Sequence, residues 1–263
     1  MSANLDARLL AQHVLGWDTA RLLANTGEVA PEDFSAAYEV LVARRAAREP
    51  LAYITGHREF WGLELEVTPA VLIPRPETEL IVEAALALLP AAELFTMIDT
   101  CTGCGNVAVA IAHERTNARV VAADISEVAL AVARRNAARH GVEGRVAFVE
   151  ADVFGDLTGP VDLITANPPY VPHRNARGLQ PEVGDHEPHV ALFGGGPDGL
   201  TLIERVLHGA PALLRPGGYL ICEFGLGQEV EVEDLVNASS ELTLLELKRD
   251  LQGIARTVVA QRN

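Results

Sequence analysis

Residues 164–172 read ITANPPYVP, an apolar segment that runs into an asparagine, two prolines and a tyrosine. Val161, Leu163 and Ile164 have the character of a buried strand. Pro168 must stop that strand, because proline cannot donate to a sheet ladder. Beyond the strand lies a stiff turn with Asn167 at its start and Tyr170 at its exit, where ligands lie in open α/β sheets. Such a turn suits one kind of chemistry. The nitrogen of a planar amide or amino group is a poor nucleophile, since its lone pair is delocalised, and it must be held facing an electrophilic carbon. The Asn167 side-chain oxygen and the Pro168 carbonyl can accept its two N–H bonds while Tyr170 packs on its flat face. Pro168 and Pro169 fix both acceptors in advance. The plainer alternative is an edge-strand terminator with a core tyrosine.

A second constellation sits at residues 99–110, DTCTGCGNVAVA. Gly103 and Gly105 fall between a short strand pattern and a helical one. Glycines there let the backbone approach a ligand, and a helix start offers free N–H donors. Gly103 to Ala108 also matches G-x-G-x-x-A, a dinucleotide pattern that carries little weight alone. Asp124 ends the next strand about twenty residues on, where an acid hydrogen-bonds two ribose hydroxyls. Asp152 ends the third strand, placed for an adenine amino group. A pyrophosphate would meet Asp99 as a like charge, whereas S-adenosylmethionine brings an ammonium and a sulfonium. The three acids therefore favour that cofactor over NAD. The blander reading is a set of turn acids and turn glycines.

The elements that must hold these residues emerge from the periodicity. Leu9, Leu10, Val14, Leu15, Leu22, Leu23, Phe34, Tyr38, Leu41 and Val42 recur at helical spacing, with a helix start at Pro31–Asp33 and an end at Pro50. Residues 58–73 alternate as a short hairpin with Leu63, Leu65 and Val67 on one face. From Pro76 helices and strands alternate: ELIVEAALALL, FTMIDT, NVAVAIAHER, ARVVAAD, SEVALAVARRNAARHG, RVAFVEAD, VDLITAN, GLTLIERVLHGAPALL with a late proline break, and GGYLICEF. LTLLELKRD and ARTVVAQR close the chain as consecutive strands. The expected fold is α/β: a doubly wound, Rossmann-like, mostly parallel sheet with an antiparallel C-terminal edge, behind a small N-terminal helical domain. The expected units are 1–57 (helical), 58–75 (hairpin linker) and 76–263 (α/β).

Charge and composition narrow the partners. Of 263 residues nearly half are hydrophobic, and the formal net charge is -15 with Lys248 the single lysine. Nucleic acid is bound largely through Lys and Arg, so a protein or small molecule is expected and direct nucleic-acid binding is not. No run of about 18 apolar residues suggests a membrane span. The first residues carry no secretory pattern, and three cysteines suit a reducing cytoplasm. Cys101-x-x-Cys104 resembles a redox or half-zinc motif, but both residues fall in the glycine loop. Asp185, His186, Glu187 and His189 in GDHEPH could ligate an ion, though the chemistry needs none. GGGPDG (194–199) reads as a turn into a helix, and ARRAARE (43–49) as a solvated helix face.

Taken together, these motifs resemble those of the HemK/PrmC-type protein-(glutamine-N5) methyltransferases, the release factor glutamine methyltransferases. The resemblance covers nearly the whole chain. It rests on EPLAYITGHREFWGLELEVTPAVLIPRPETE (49–79), the loop at 99–110, NPPY, HEPHVALFGGGPDGL (186–200), CEFGLGQ (222–228) and RDLQGIARTVV (249–259). It implies a class I S-adenosylmethionine methyltransferase domain in which Cys101, Thr102, Gly103, Cys104, Gly105, Asp124, Val153 and Asn167 contact the cofactor. Asn167, Pro168, Pro169 and Tyr170 would hold the glutamine of the Gly-Gly-Gln motif of class 1 peptide chain release factors. The helical domain would help to dock that protein. NPPY alone is shared with adenine and guanine amino methyltransferases, whereas PRPETE and the helical domain are more specific. One residue departs from the pattern: these enzymes usually carry glycine where this chain has Cys101. A cysteine there resembles related enzymes that methylate a glutamine of a large-subunit ribosomal protein.

Overall fold

The computed structural model describes residues 3–89 and 92–263. Residues 1, 2, 90 and 91, which fall within the expected helical and α/β units, lie outside the described residues. Four helices open the chain: α1 (Ala3–Leu15), α2 (Thr19–Ala24), α3 (Phe34–Ala46) and α4 (Leu51–Thr55). Asp18 caps α2 by accepting from the Arg21 amide at 2.7 Å. The expected helix end at Pro50 is corrected. α3 stops at Ala46, the chain turns at Arg48 with φ +70, and Pro50 instead precedes α4, where its fixed φ suits a helix start. The arginine-rich run is solvated in part, with Ala43, Ala46, Ala47 and Arg48 exposed, but its arginines are paired. Arg45 donates to Asp6 at 2.7 Å and to Glu182 at 3.0 Å, and Arg48 donates to Glu182 at 2.5 Å.

The hairpin forms as β1 (His57–Phe60) and β2 (Leu63–Glu66), and Leu63, Leu65 and Val67 are buried as the alternation requires. It is stapled to the larger layer by Asn136. That fully buried amide accepts from the Glu66 amide at 2.7 Å and donates to the Glu66 and Cys104 carbonyls at 3.0 and 2.9 Å.

The remainder alternates as expected: α5 (Glu79–Leu88), β3 (Phe95–Thr100), α6 (Asn106–Glu114), β4 (Ala118–Asp124), α7 (Glu127–Arg139), β5 (Val146–Glu150) and β6 (Val161–Ala166). Then come α8 (Pro181–Gly184), α9 (Thr201–Leu213), β7 (Leu214–Glu223), α10 (Glu229–Ala238), β8 (Leu242–Arg249) and β9 (Ala255–Arg262). The seven strands lie in the order β5-β4-β3-β6-β7-β9-β8, parallel from β5 to β7, with β9 antiparallel between β7 and β8. The period of two sends Met97 and Leu163 to one apolar layer and Ile98 and Ile164 to the other, so both faces are covered. Three local expectations change. β5 ends at Glu150, which leaves Asp152 in the turn beyond it. α9 passes through Pro211 before ending at Leu213. α10, unforeseen, is held by only two buried residues, Val232 and Val236, one turn apart. Among the described residues no helix is long and apolar enough to cross a membrane.

Candidate active site

Parallel pairing brings the carboxyl ends of β3, β4 and β6 level. Thr100 pairs with Ala123 on one side and Ala166 on the other, so the loops after all three strands open on the same edge. There they enclose a cavity of about 340 Å³, lined in part by Cys101, Thr102, Gly103, Cys104, Asp124, Asp152, Val153, Asn167 and Pro169. Asp124 is its most engaged acid. One carboxylate oxygen accepts from the Gly103 amide at 2.9 Å and the other from the Ser126 amide at 3.0 Å. Burial raises its pKa, opposed by those backbone donors. Asp152 is more exposed and shares its charge with Arg205 at 3.0 Å.

Two expected contact residues do not reach the cavity. Asp99 is turned inward. Its oxygens accept from the Thr102 hydroxyl at 2.5 Å and from the hydroxyl of Thr165, its register partner on β6, at 2.7 Å. Burial pushes its carboxyl up to about 6 against the pull of those hydroxyls. Asp99 thus braces the loop from beneath. Gly105 faces α7, where a Cβ would lie 3.0 Å from the Ala133 methyl, so it serves helix packing. Gly103, at φ +56, has no atom within 4 Å of where a Cβ would stand and is the glycine that leaves the cavity open.

Cys101 and Val153 line the cavity in left-handed backbone conformations, φ +57 and +59. A residue with a Cβ loses about 1–2 kcal/mol there, which explains why a glycine would suit position 101. Val153 is held by its carbonyl, which accepts from the Thr100 hydroxyl at 2.5 Å. Strain of this kind concentrates at ligand sites. Burial pushes the Cys101 and Cys104 thiols up to about 12, so both stay protonated and poor as nucleophiles or metal ligands.

The Asn-Pro-Pro-Tyr turn is seated on glycines. A Cβ on Gly194 would strike the Pro169 carbonyl, and one on Gly199 would strike that of Tyr170. The GGGPDG loop is therefore the bed of the turn, and it leads into α9 as expected. Gln228 locks the arrangement by donating to the Tyr170 and Asp198 carbonyls at 3.0 and 2.9 Å. A second cavity of about 120 Å³ adjoins the first, lined by Asn167, Pro168, Tyr170, Leu72, Arg75 and Leu179 among others. Asn167 and Arg75 line both. Asn167 Nδ2 donates to Thr78 Oγ1 at 3.1 Å. Among the described residues no donor reaches Asn167 Oδ1 or the Pro168 carbonyl. Tyr170 donates its hydroxyl to Glu223 at 3.1 Å.

Several lining residues were not singled out from the sequence. Arg75 and Thr78 come from PRPETE. Ile125 follows Asp124 and is half exposed, an apolar residue directly after a strand-end acid and thus a legible signal. Val190 and Phe193 belong to the segment 171–193, which contributes lining to both cavities. Glu187 of GDHEPH turns to protein: it accepts from Arg75 at 2.5 Å and from the Ile73 amide at 3.1 Å.

Comparison with known proteins agrees with this architecture. Residues 1–56 match the family model of the PrmC N-terminal domain, and residues 78–180 that of the methyltransferase small domain. The chain is 42% identical to a release factor glutamine methyltransferase of Moorella thermoacetica, over 97% of this chain and 91% of that one. It is 44% identical to one of Cereibacter sphaeroides, over 98% and 91%. In fold it is similar to the T. thermophilus 16S rRNA N2 G1207 methyltransferase solved with AdoMet and guanosine, with TM-score 0.55 and 19% identity over 79% of this chain and 50% of that one. The chain belongs to the S-adenosylmethionine-dependent release factor glutamine methyltransferase family.

Proposed function

We propose that the chain transfers a methyl group from S-adenosylmethionine to N5 of a glutamine side chain, that of the Gly-Gly-Gln motif in class 1 peptide chain release factors. The observation that carries this is the place of Asn167: it joins the two cavities, with its NH₂ taken by Thr78 and its oxygen open. The residues of the larger cavity fit the cofactor. The Asp124 carboxylate suits the ribose hydroxyls, and Asp152 suits an adenine amino group. Ile125 and Val153 offer apolar surface to the base, and Cys101, Thr102, Gly103 and Cys104 border the methionine end. When bound, S-adenosylmethionine supplies a methyl group on a positively charged sulfur.

The protein's part is positioning. Asn167 Oδ1 and the Pro168 carbonyl accept the two amide hydrogens, Pro169 stiffens the turn, and Tyr170 walls the small cavity. Among the described residues no carboxylate or imidazole lines that cavity, so the proton lost from the methylated nitrogen passes to water. We further propose that residues 1–57 dock the protein substrate, 58–75 link, and 76–263 carry out transfer. Release factors are preferred over nucleic acid because the chain carries net charge -15 and a single lysine. The test is transfer of labelled methyl to purified release factors and ribosomal proteins, with mass spectrometry locating the modified residue. Methylation of a ribosomal protein alone, or of RNA or DNA, overturns the assignment of substrate.

A further inference from the structure

Three segments far apart in sequence meet behind Asn167: Thr78 of PRPETE, the Asn-Pro-Pro-Tyr turn, and Glu223 at the end of β7. Thr78 and Glu223 are each 1% exposed. An asparagine amide offers an acceptor on one side and a donor on the other. With its Nδ2 bonded to Thr78 Oγ1, Asn167 Oδ1 faces the cavity; turned over, it would oppose the substrate NH₂ with its own. The Thr78 hydroxyl has one proton and could equally donate to Asn167, unless a stronger acceptor takes that proton. Glu223 is such an acceptor. One of its oxygens receives the Tyr170 hydroxyl at 3.1 Å, and the other, Oε2, is buried with no hydrogen bond completed among the described residues. Burial and the charge of Glu77 push the Glu223 carboxyl up to about 7, and the nearby Thr78 and Tyr170 hydroxyls pull the other way.

We propose that Glu223 and Thr78 are positioning residues: Glu223 takes the Thr78 proton, which makes Thr78 an acceptor and fixes the Asn167 oxygen toward the substrate amide. One buried carboxylate thereby sets both sides of the clamp, Tyr170 directly and Asn167 through Thr78. This rests on the reading of Asn167 as the acceptor for the glutamine amide.

The test compares Thr78→Val, Thr78→Ser and Glu223→Gln in single-turnover methylation of a purified release factor, alongside calorimetric titration with S-adenosylhomocysteine. Thr78→Val keeps the shape and removes the acceptor, so the methyl-transfer rate should fall about 100-fold while affinity for S-adenosylhomocysteine holds within about threefold. Thr78→Ser should restore most of the rate. In an Asn167→Asp background, where both faces of the side chain accept, Thr78→Val should add little further loss. A Thr78→Val enzyme within about threefold of wild type, or an undiminished loss in the Asn167→Asp background, overturns the proposal. Should Thr78→Val not fold, Glu223→Gln is taken through the same cycle, since its amide can donate to Thr78 and reverse the polarity. A wild-type enzyme that methylates no protein glutamine would instead refute the underlying function.

Discussion

Gly103 and Gly105 are two residues apart, both at positive φ, yet the structure gives them different work. Replacing either with alanine places a Cβ in the left-handed region, which costs about 1–2 kcal/mol. Alanine also stiffens the unfolded chain and returns about 0.4–1 kcal/mol. For Gly103→Ala the loss of stability should therefore stay below about 2 kcal/mol, because nothing lies within 4 Å of the new methyl. At Gly105 the methyl meets Ala133 at 3.0 Å on a packed helix, which adds about 1–3 kcal/mol of overpacking. The expected total is about 1–5 kcal/mol, or a fall in Tm of roughly 2–20 °C for a chain of this size. Cofactor affinity should run the other way. The Gly103 methyl enters the cavity itself and should weaken S-adenosylhomocysteine binding about tenfold, equivalent to about 1.4 kcal/mol. Gly105→Ala should bind nearly normally below its melting temperature. Thermal denaturation and calorimetric titration of both variants decide the matter. Equal destabilisation, or a larger loss of affinity in Gly105→Ala, would refute the division of labour.

Asn167→Ala should lower turnover by about 100-fold or more with S-adenosylhomocysteine affinity little changed, and full activity in that variant would sink the clamp. Asp99 holds its proton up to about pH 6 when folded, against an ordinary 3.8. Between those values the native state binds more protons than the unfolded chain, so Asp99 makes stability fall as pH rises through this window, by roughly 2 kcal/mol. Urea denaturation at pH 4 and pH 7 should show a shallower fall in Asp99→Asn, and an unchanged slope contradicts the assignment. Arg75→Met leaves the buried Glu187 carboxylate with only the Ile73 amide and should cost about 2–4 kcal/mol. The double variant Arg75→Met, Glu187→Leu should recover part of that loss by the same denaturation assay.

How much of the fold and site was legible depended on how far each determinant lay from its partner along the chain. FTMIDT and ARVVAAD match β3 and β4 residue for residue because turn signals bound buried, β-branched runs. Asn167 and Asp124 could be found because each closes or directly follows a strand, which assigns them to the sheet edge without further information. The direction of the Asp99 side chain could not be found, since it is set by Thr165, 66 residues away. Gly105 needed Ala133 to show that its role is packing. The Thr78–Asn167 and Arg75–Glu187 bonds span 89 and 112 residues and leave no local pattern. α10 escaped notice because its opening EVEVE alternates with a period of two, which masks the helical spacing of Val232 and Val236.

The segment 171–193 is fastened at two points of unlike character. Glu187 is buried and the Arg45–Glu182 pair is largely shielded, whereas the Arg48 side chain that also reaches Glu182 is half in solvent. Dissolved ions screen exposed pairs far more than buried ones, and the Debye length shrinks from about 10 Å at 0.1 M to about 3 Å at 1 M. Ionic strength therefore acts on one fastening before the other. In concentrated salt the segment stays tied to PRPETE and to Arg45 while its Arg48 contact slackens, so how firmly the helical unit holds the segment beside the smaller cavity follows the ionic strength.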